Sequence, residues 1–165
     1  MTTLFSNPTR IFALSVGVCL AAVGAALVTQ HVFDMQPCPW CILQRIIFLA
    51  IALVALLGVV WRRRAGVMAA ALAMDLLAAS GVAAALWQHV VASSSASCNL
   101  TLADRIISFT GLDGLWPEIF SARASCAEAA ATLFGVPYEF WSLATFAMLG
   151  ALAVLALLSQ IRRER

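Results

Sequence analysis

Pro37-Cys38-Pro39-Trp40-Cys41-Ile42-Leu43-Gln44-Arg45-Ile46 is the stretch on which the reading of the chain turns. A Cys-x-x-Cys pair stands where a short polar connector passes into a long apolar run. Arg45 follows Cys41 by four residues, which is one turn on the same face of a helix. The stretch reads as a redox dithiol held at a membrane surface.

The rest of the composition agrees with a membrane setting. The 165-residue chain is 63% hydrophobic and only 11% charged, with a mean hydropathy of +0.96. A soluble domain is about 45–50% apolar and about 25% charged. The net charge of +2 does not point to nucleic acid: there is no lysine, most arginines sit beside apolar runs, and no phosphate-cradling glycine loop is present. The five cysteines are Cys19, Cys38, Cys41, Cys98 and Cys126, which reads as four for chemistry or structure and one bystander.

Four stretches approach the roughly 20 apolar residues needed to cross a bilayer core of about 30 Å. They lie at about 11–29, 42–61, 65–87 and 138–161, so the expected fold is an all-α integral membrane protein, a single four-transmembrane-helix bundle. The first has Arg10 before it and small residues near its end, as a signal peptide would. Its apolar run exceeds the usual ~7–15 residues, and an uncleaved helix is expected. In the second, Arg45 lies near the top, where it is expected to snorkel to the interface.

Arginines set the orientation. Arg10, Arg62-Arg63-Arg64 and the C-terminal Arg162, Arg163 and Arg165 share one side if the spans alternate, and positive flanks mark the cytoplasm. Both termini are then cytoplasmic, and the connectors at about 30–41 and 88–137 face outward. Cys38, Cys41, Cys98 and Cys126 all lie in or beside those connectors, on the side where disulfides persist. Trp40, Trp87, Trp116, Tyr138 and Trp141 would gather at the outer interface, with Trp61 at the inner one.

The long outer connector has local signals of its own. Ser93–Ser97 reads as a flexible lead-in to Cys98. Leu102, Ile106 and Phe109 recur at helical spacing and, with the apolar Leu115–Phe120 segment, suggest a short amphipathic piece lying on the membrane surface. A small loop-packed core is the alternative. Ser125-Cys126-Ala127-Glu128 fits a capping box, and an alanine-rich helix closed by Gly135 and Pro137 is expected after it, with Cys126 in its first turn.

A lone Cys-x-x-Cys has three readings. It is half of a zinc site, an inert structural disulfide, or a redox pair. A zinc ribbon needs a second closely spaced pair, whereas 27 residues separate Cys98 from Cys126. The redox reading has a physical basis, since exchange needs a thiolate attacker and a good leaving thiolate. Cys41 at a helix N-terminus, with Arg45 one turn on, has two sources of thiolate stabilisation.

Pro-Cys-x-x-Cys with its arginine at the mouth of the second span resembles the DsbB-type disulfide-bond oxidoreductases. The resemblance extends to Cys98 and Cys126, to Trp87-Gln88-His89, and to Ser125–Glu128 leading into Gly135-Val136-Pro137, and so covers most of the chain in order. It implies an enzyme of the bacterial inner membrane that reoxidises a periplasmic DsbA-like thiol oxidase and passes two electrons to a membrane quinone, either a ubiquinone or a menaquinone. Carried over by position, Cys98 receives the partner's attack, Cys126 is its loop partner and relays to Cys38, and Cys41 is the thiolate that meets the quinone. Arg45 lies beside the quinone ring, and Gln44 and His89 are further candidates for that pocket. Relatives often carry an acidic residue where this chain has Gln44, which leaves no carboxylate role there. A DsbA-type partner is a strong oxidant at about −120 mV, so a separate electron sink makes sense. The competing readings are a vitamin-K-epoxide-reductase-like enzyme, disfavoured by the cysteine order, and a membrane scaffold with two structural disulfides.

Cys19 reads as a small packing residue inside an uncharged span. Asp75 falls near mid-membrane, where a carboxyl is costly. It is expected to be protonated and hydrogen-bonded to another helix.

Overall fold

A computed structural model describes residues 7–92 and 101–161. The expectations for Cys98, for Ser93–Ser97 and for Arg162, Arg163 and Arg165 lie outside the described residues. Four long helices form the bundle: α1 (Pro8–Val32), α2 (Pro39–Val60), α3 (Arg64–Trp87) and α7 (Tyr138–Ile161). All four are long and apolar enough to cross a membrane, the third when its π-helical extension Gln88–Ala92 is included as far as Val90. Between α3 and α7 the chain forms α4 (Leu102–Thr110), the single turns α5 (Leu112–Leu115) and α6 (Pro117–Phe120), and a two-residue hairpin, β1 (Thr132–Leu133) with β2 (Val136–Pro137).

Helix ends explain where the spans differ from apolar counting. The second helix begins at Pro39, not at Ile42. Cys38 is its N-cap, with the sulfur accepting the Cys41 N–H at 3.3 Å, and Pro39 fills the first position, where a missing N–H costs nothing. The first helix starts the same way, with Asn7 accepting from the Thr9 N–H ahead of Pro8. It runs on to Val32, so the short connector is only a few residues long.

Small residues set the packing of the bundle. The Gly81 position on α3 faces the Phe146 ring of α7 so closely that a Cβ there would collide with it. Phe146 in turn stacks on Phe48 of α2, with centroids 4.0 Å apart and planes 6° from parallel. Gly58 admits Phe12 of α1 in the same manner, so aromatic rings and glycines bring three helix pairs into close contact. Cys19 is fully buried in this core, as expected of a packing residue. Asp75 departs from expectation. It is half-buried and faces Gly150 of α7, and no hydrogen bond from another helix reaches it among the described residues, since a glycine offers it no side chain.

The long connector is folded down onto the bundle. Thr101 and Asp104 form a reciprocal capping box at the start of α4, and Gly111 ends that helix at φ +65°. The packing face is not the one suggested by Leu102, Ile106 and Phe109. Ala103 and Ile107 are the buried positions, and Ile107 joins Ile42 of α2 and Phe120 of α6 in a small cluster. Ile106 packs partly against the main core, whereas Leu102 is exposed and Phe109 is 92% exposed. The segment therefore has both a loop-packed core and an apolar outer face, continued by the exposed Leu115 and Trp116.

The alanine-rich helix after Ser125 does not form. Its capping box does: Ser125 and Glu128 bond reciprocally, and the Ala129 N–H reaches the Ser125 carbonyl at 2.9 Å. One turn is all that follows. Phe134 and Gly135 both take positive φ (54° and 79°), the pair of angles a type I′ turn needs, and the hairpin claims residues 132–137. With so few residues between box and turn, the hairpin wins over alanine's helix preference. Trp40, in the first turn of α2, is buried with its ring 6.3 Å from that of Trp87.

Candidate active site

Three of the four expected redox cysteines meet at the head of α2. The Cys38 and Cys41 sulfurs are 2.8 Å apart, and Cys38 also shares a side-chain hydrogen bond with Cys126. The Trp40 backbone N–H points to the Cys126 sulfur, while the Cys41 N–H goes to Cys38. The first-turn N–H groups that an ordinary helix leaves unpaired are thus aimed at sulfur. Their positive end of the helix dipole favours whichever sulfur carries charge. Cys38 is fully buried between the other two.

Long-range backbone bonds bring Cys126 there. The Arg123 and Ala124 N–H groups both donate to the Pro37 carbonyl, at 2.9 and 3.3 Å. Sequence position gives no hint of this docking, since it joins the short connector to residues more than eighty positions away.

In the reduced protein the proton is shared unevenly. Cys38 is pushed well above the ordinary thiol range, first by its hydrogen bond to Cys126, then by that to Cys41, then by burial. Cys126 is held below its ordinary value, chiefly by the Cys38 hydrogen bond, with the Trp40 N–H adding to it and burial opposing. These directions favour the proton on Cys38 and negative charge on Cys126.

Beside Cys41 lies a cavity of about 270 Å³ between α1, α2 and α7. Ala22, Ala25, Ala26, Phe48, Leu133 and Trp141 make its walls apolar, and Gln44, Arg45, Gln88, Tyr138 and Glu139 supply polar groups. Among the three gathered cysteines, Cys41 is the one that borders it. Thr29 of α1 and Tyr138 of α7, both in its lining, meet through their hydroxyls, 3.2 Å apart.

Arg45 faces this cavity rather than the interface. It is buried, so the snorkelling expected from its place in the sequence does not occur. Its guanidinium donates to Gln30 Oε1 at 2.7 Å, the Ile119 carbonyl at 2.9 Å and the Ala26 carbonyl at 3.3 Å. Inward partners of this strength hold a guanidinium that would otherwise seek water. Gln30 in turn donates to the Glu118 carbonyl, so Arg45 and Gln30 together pin α6 to the bundle.

Gln44 is buried on the cavity wall and donates to Gln88 Oε1 at 2.7 Å. Gln88 donates onward to the Cys41 sulfur at 3.4 Å. His89 is not among the residues lining the cavity. It meets Glu139 at 2.7 Å and packs on Phe140, with its ring partly exposed. Gln30 and Tyr138 carry no motif that would have marked them for the site, and Gln88 lies inside the Trp87-Gln88-His89 stretch of the resemblance, from which only His89 was expected at the pocket. A faint signal for Gln88 is that an amide at the end of an apolar span, facing the amide of Gln44, needs a partner.

The comparisons with known proteins come to the same region of protein space. A family model described as disulfide bond formation protein DsbB matches residues 8–156. The chain is 34% identical to disulfide bond formation protein B 1 of Pseudomonas savastanoi pv. phaseolicola, over 98% of this chain and 96% of that protein. It is 32% identical to disulfide bond formation protein B of Polaromonas naphthalenivorans, over 98% of each. Against the protein of the same name from Aromatoleum aromaticum it is 33% identical, over 92% of this chain and 93% of the other.

Proposed function

The chain belongs to the DsbB family of disulfide bond formation proteins, and on that premise we propose that it reoxidises a DsbA-like periplasmic thiol oxidase and passes the two electrons to a membrane quinone. Membership itself makes it a multi-pass membrane oxidoreductase of disulfide formation. The observation that carries the finer reading is the order of the sulfurs: Cys126, then Cys38, then Cys41, then the cavity.

The exchange steps balance along that order. The partner's thiolate attacks Cys98 of a Cys98–Cys126 disulfide, and Cys126 leaves as a thiolate. Cys126 attacks Cys38 of a Cys38–Cys41 disulfide, and Cys41 leaves as a thiolate. The partner's second thiol then closes the partner's own disulfide and frees Cys98, which attacks Cys126, re-forming Cys98–Cys126 and releasing Cys38 as a thiolate. The pair Cys38 and Cys41 ends reduced, and the partner ends oxidised.

A quinone supplies the two-electron sink that returns this pair to a disulfide. The cavity fits such a group: its volume is near the lower end of the ~300–1,000 Å³ typical of small-molecule sites, its walls are apolar, and N–H and O–H donors suited to ring carbonyls stand around it. Arg45, Gln44 and Tyr138 would hold it. Arg45 and the first-turn N–H groups favour negative charge on the departing Cys41 sulfur. On this reading both termini lie in the cytoplasm and the cysteines on the periplasmic side, which the arginines flanking the spans support.

The test is direct. Detergent-solubilised protein is mixed with a reduced DsbA-like oxidase and a short-chain ubiquinone or menaquinone, and quinone absorbance is followed. Loss of the quinone signal with the intact chain, and none with Cys41→Ala, is expected. An unchanged signal with the intact chain and both quinones would overturn the reading.

A further inference from the structure

Gln88 ends α3 at the π-helical turn and is only 7% exposed, and Gln44, on the second turn of α2, is only 4% exposed. A primary amide has a donor end and an acceptor end, and which end faces a neighbour is fixed by the partner at the other end. Gln44 donates its Nε2–H to Gln88 Oε1 at 2.7 Å. With its oxygen so occupied, Gln88 turns its NH₂ to the Cys41 sulfur at 3.4 Å.

From this chain of contacts we infer that Gln44 and Gln88 form a two-amide relay that presents an N–H donor to Cys41, with Gln88 touching the reacting sulfur and Gln44 acting as the positioning residue that sets its direction. The inference rests on the reading of Cys41 as the reactive thiolate, but not on the identity of the oxidant. An N–H aimed at a sulfur favours the thiolate, whereas a carbonyl oxygen in the same place favours the thiol. Reversing Gln88 would replace the first with the second, and the bond from Gln44 opposes that reversal. This gives Gln44 work that needs no carboxylate: it orients a donor and leaves charge to Arg45.

Among the described residues, the other charged or titratable groups around Cys41 are Cys38, Cys126, Arg45, Tyr138 and Glu139. Cys38 lies on the same helix end, Cys126 is bonded to Cys38, Arg45 is one turn along α2, and Tyr138 and Glu139 of α7 share the cavity. Gln88 is the side-chain donor from α3, so changing it alters the Cys41 environment without touching any of them.

The experiment is site-resolved alkylation of the reduced full-length protein by iodoacetamide, with adducts at Cys41 and Cys126 counted separately by mass spectrometry across pH. Gln88→Met is of similar size and has no donor; it is expected to slow Cys41 alkylation near neutral pH about threefold. Gln88→Glu replaces the donor by an acceptor and is expected to slow it about tenfold, the scale of one charge-assisted hydrogen bond. Gln44→Met, which frees Gln88 to turn, should give a smaller slowing in the same direction. In all three variants the pH profile of Cys41 shifts upward while Cys126 keeps its rate. Cys41 alkylation at the wild-type rate in both Gln88 variants would overturn the relay. So would equal change at Cys41 and Cys126, which marks general loosening. The readout needs neither quinone nor partner, so a failed quinone assay with an intact alkylation pattern strikes the function and leaves the relay standing.

Discussion

The two connectors on the cysteine side hold their sulfurs by different means. The short one, between Val32 and Pro39, brings Cys38 and Cys41 together by helix geometry: three positions apart in one first turn, with one sulfur capping the other's N–H. The long one, between α3 and α7, has no such local device for Cys126. Its position depends on carbonyl oxygens: Pro37 receiving the Arg123 and Ala124 N–H groups, and Ile119 and Glu118 receiving Arg45 and Gln30. One sulfur pair is built in, and the other contact is docked. A disulfide relay requires such a difference, since Cys126 must reach Cys38 and also be able to leave it.

That contrast can be broken at its joints. The largest effect is expected from Cys38→Ala, which removes the sulfur between the docked and built-in sides; partner oxidation in the presence of quinone should stop, measured as loss of partner thiols. Arg45→Met comes next. It deletes a charged donor to three oxygens and should lower unfolding stability in detergent by about 3 kcal/mol. Hydrogen exchange should speed at the Arg123 and Ala124 amides and stay slow at Cys41. Equal acceleration at both places would show that the connectors are one unit.

A pH effect sharpens the comparison. Cys126 is held below its ordinary thiol value chiefly by its bond from Cys38, so in the reduced protein it stays thiolate, and reactive, to a lower pH than a free thiol. Its alkylation should fall only as pH drops through that lowered value. Cys38→Ala should move the fall to higher pH, slowing Cys126 at neutral pH. Cys38, held above its ordinary value, should stay unreactive at the same pH. Gln30→Met, which loses the bond to Glu118 and one partner of Arg45, should destabilise by about 1–2 kcal/mol. Gly135→Ala, at φ +79° in the hairpin turn, should cost about 1 kcal/mol, read from the same unfolding curves.

The same contrast explains what could be read from residues alone. Four apolar runs give four helices because length and hydropathy are properties of contiguous segments. The place of Cys41 at a helix start follows from Pro39 and the apolar run beyond it, although the cap that moves the start to Pro39 is a sulfur, outside the usual capping residues. The long connector was less legible. Ser125 and Glu128 form their box, yet the Phe134-Gly135 turn overrides the helix expected after it. The four-residue spacing of Arg45 from Cys41 makes it readable as a thiolate-stabilising group, whereas its inward direction, set by Gln30, Ala26 and Ile119, is not readable from sequence. Gln88 lies within the Trp87-Gln88-His89 stretch of the resemblance, but its contacts with Gln44 and Cys41 depend on how α3 packs on α2 and are not readable from sequence.

If Cys38 stands between Cys126 and Cys41, disulfide mapping of variants with one cysteine replaced reveals that order. Reduced Cys41→Ser and Cys38→Ser proteins are oxidised briefly with diamide, quenched with acid and digested without reductant, and the linked peptides are identified. The account predicts a Cys38–Cys126 bond forming rapidly in Cys41→Ser and little Cys41–Cys126 bond in Cys38→Ser. Equally rapid formation of Cys41–Cys126 in the absence of Cys38 would contradict it.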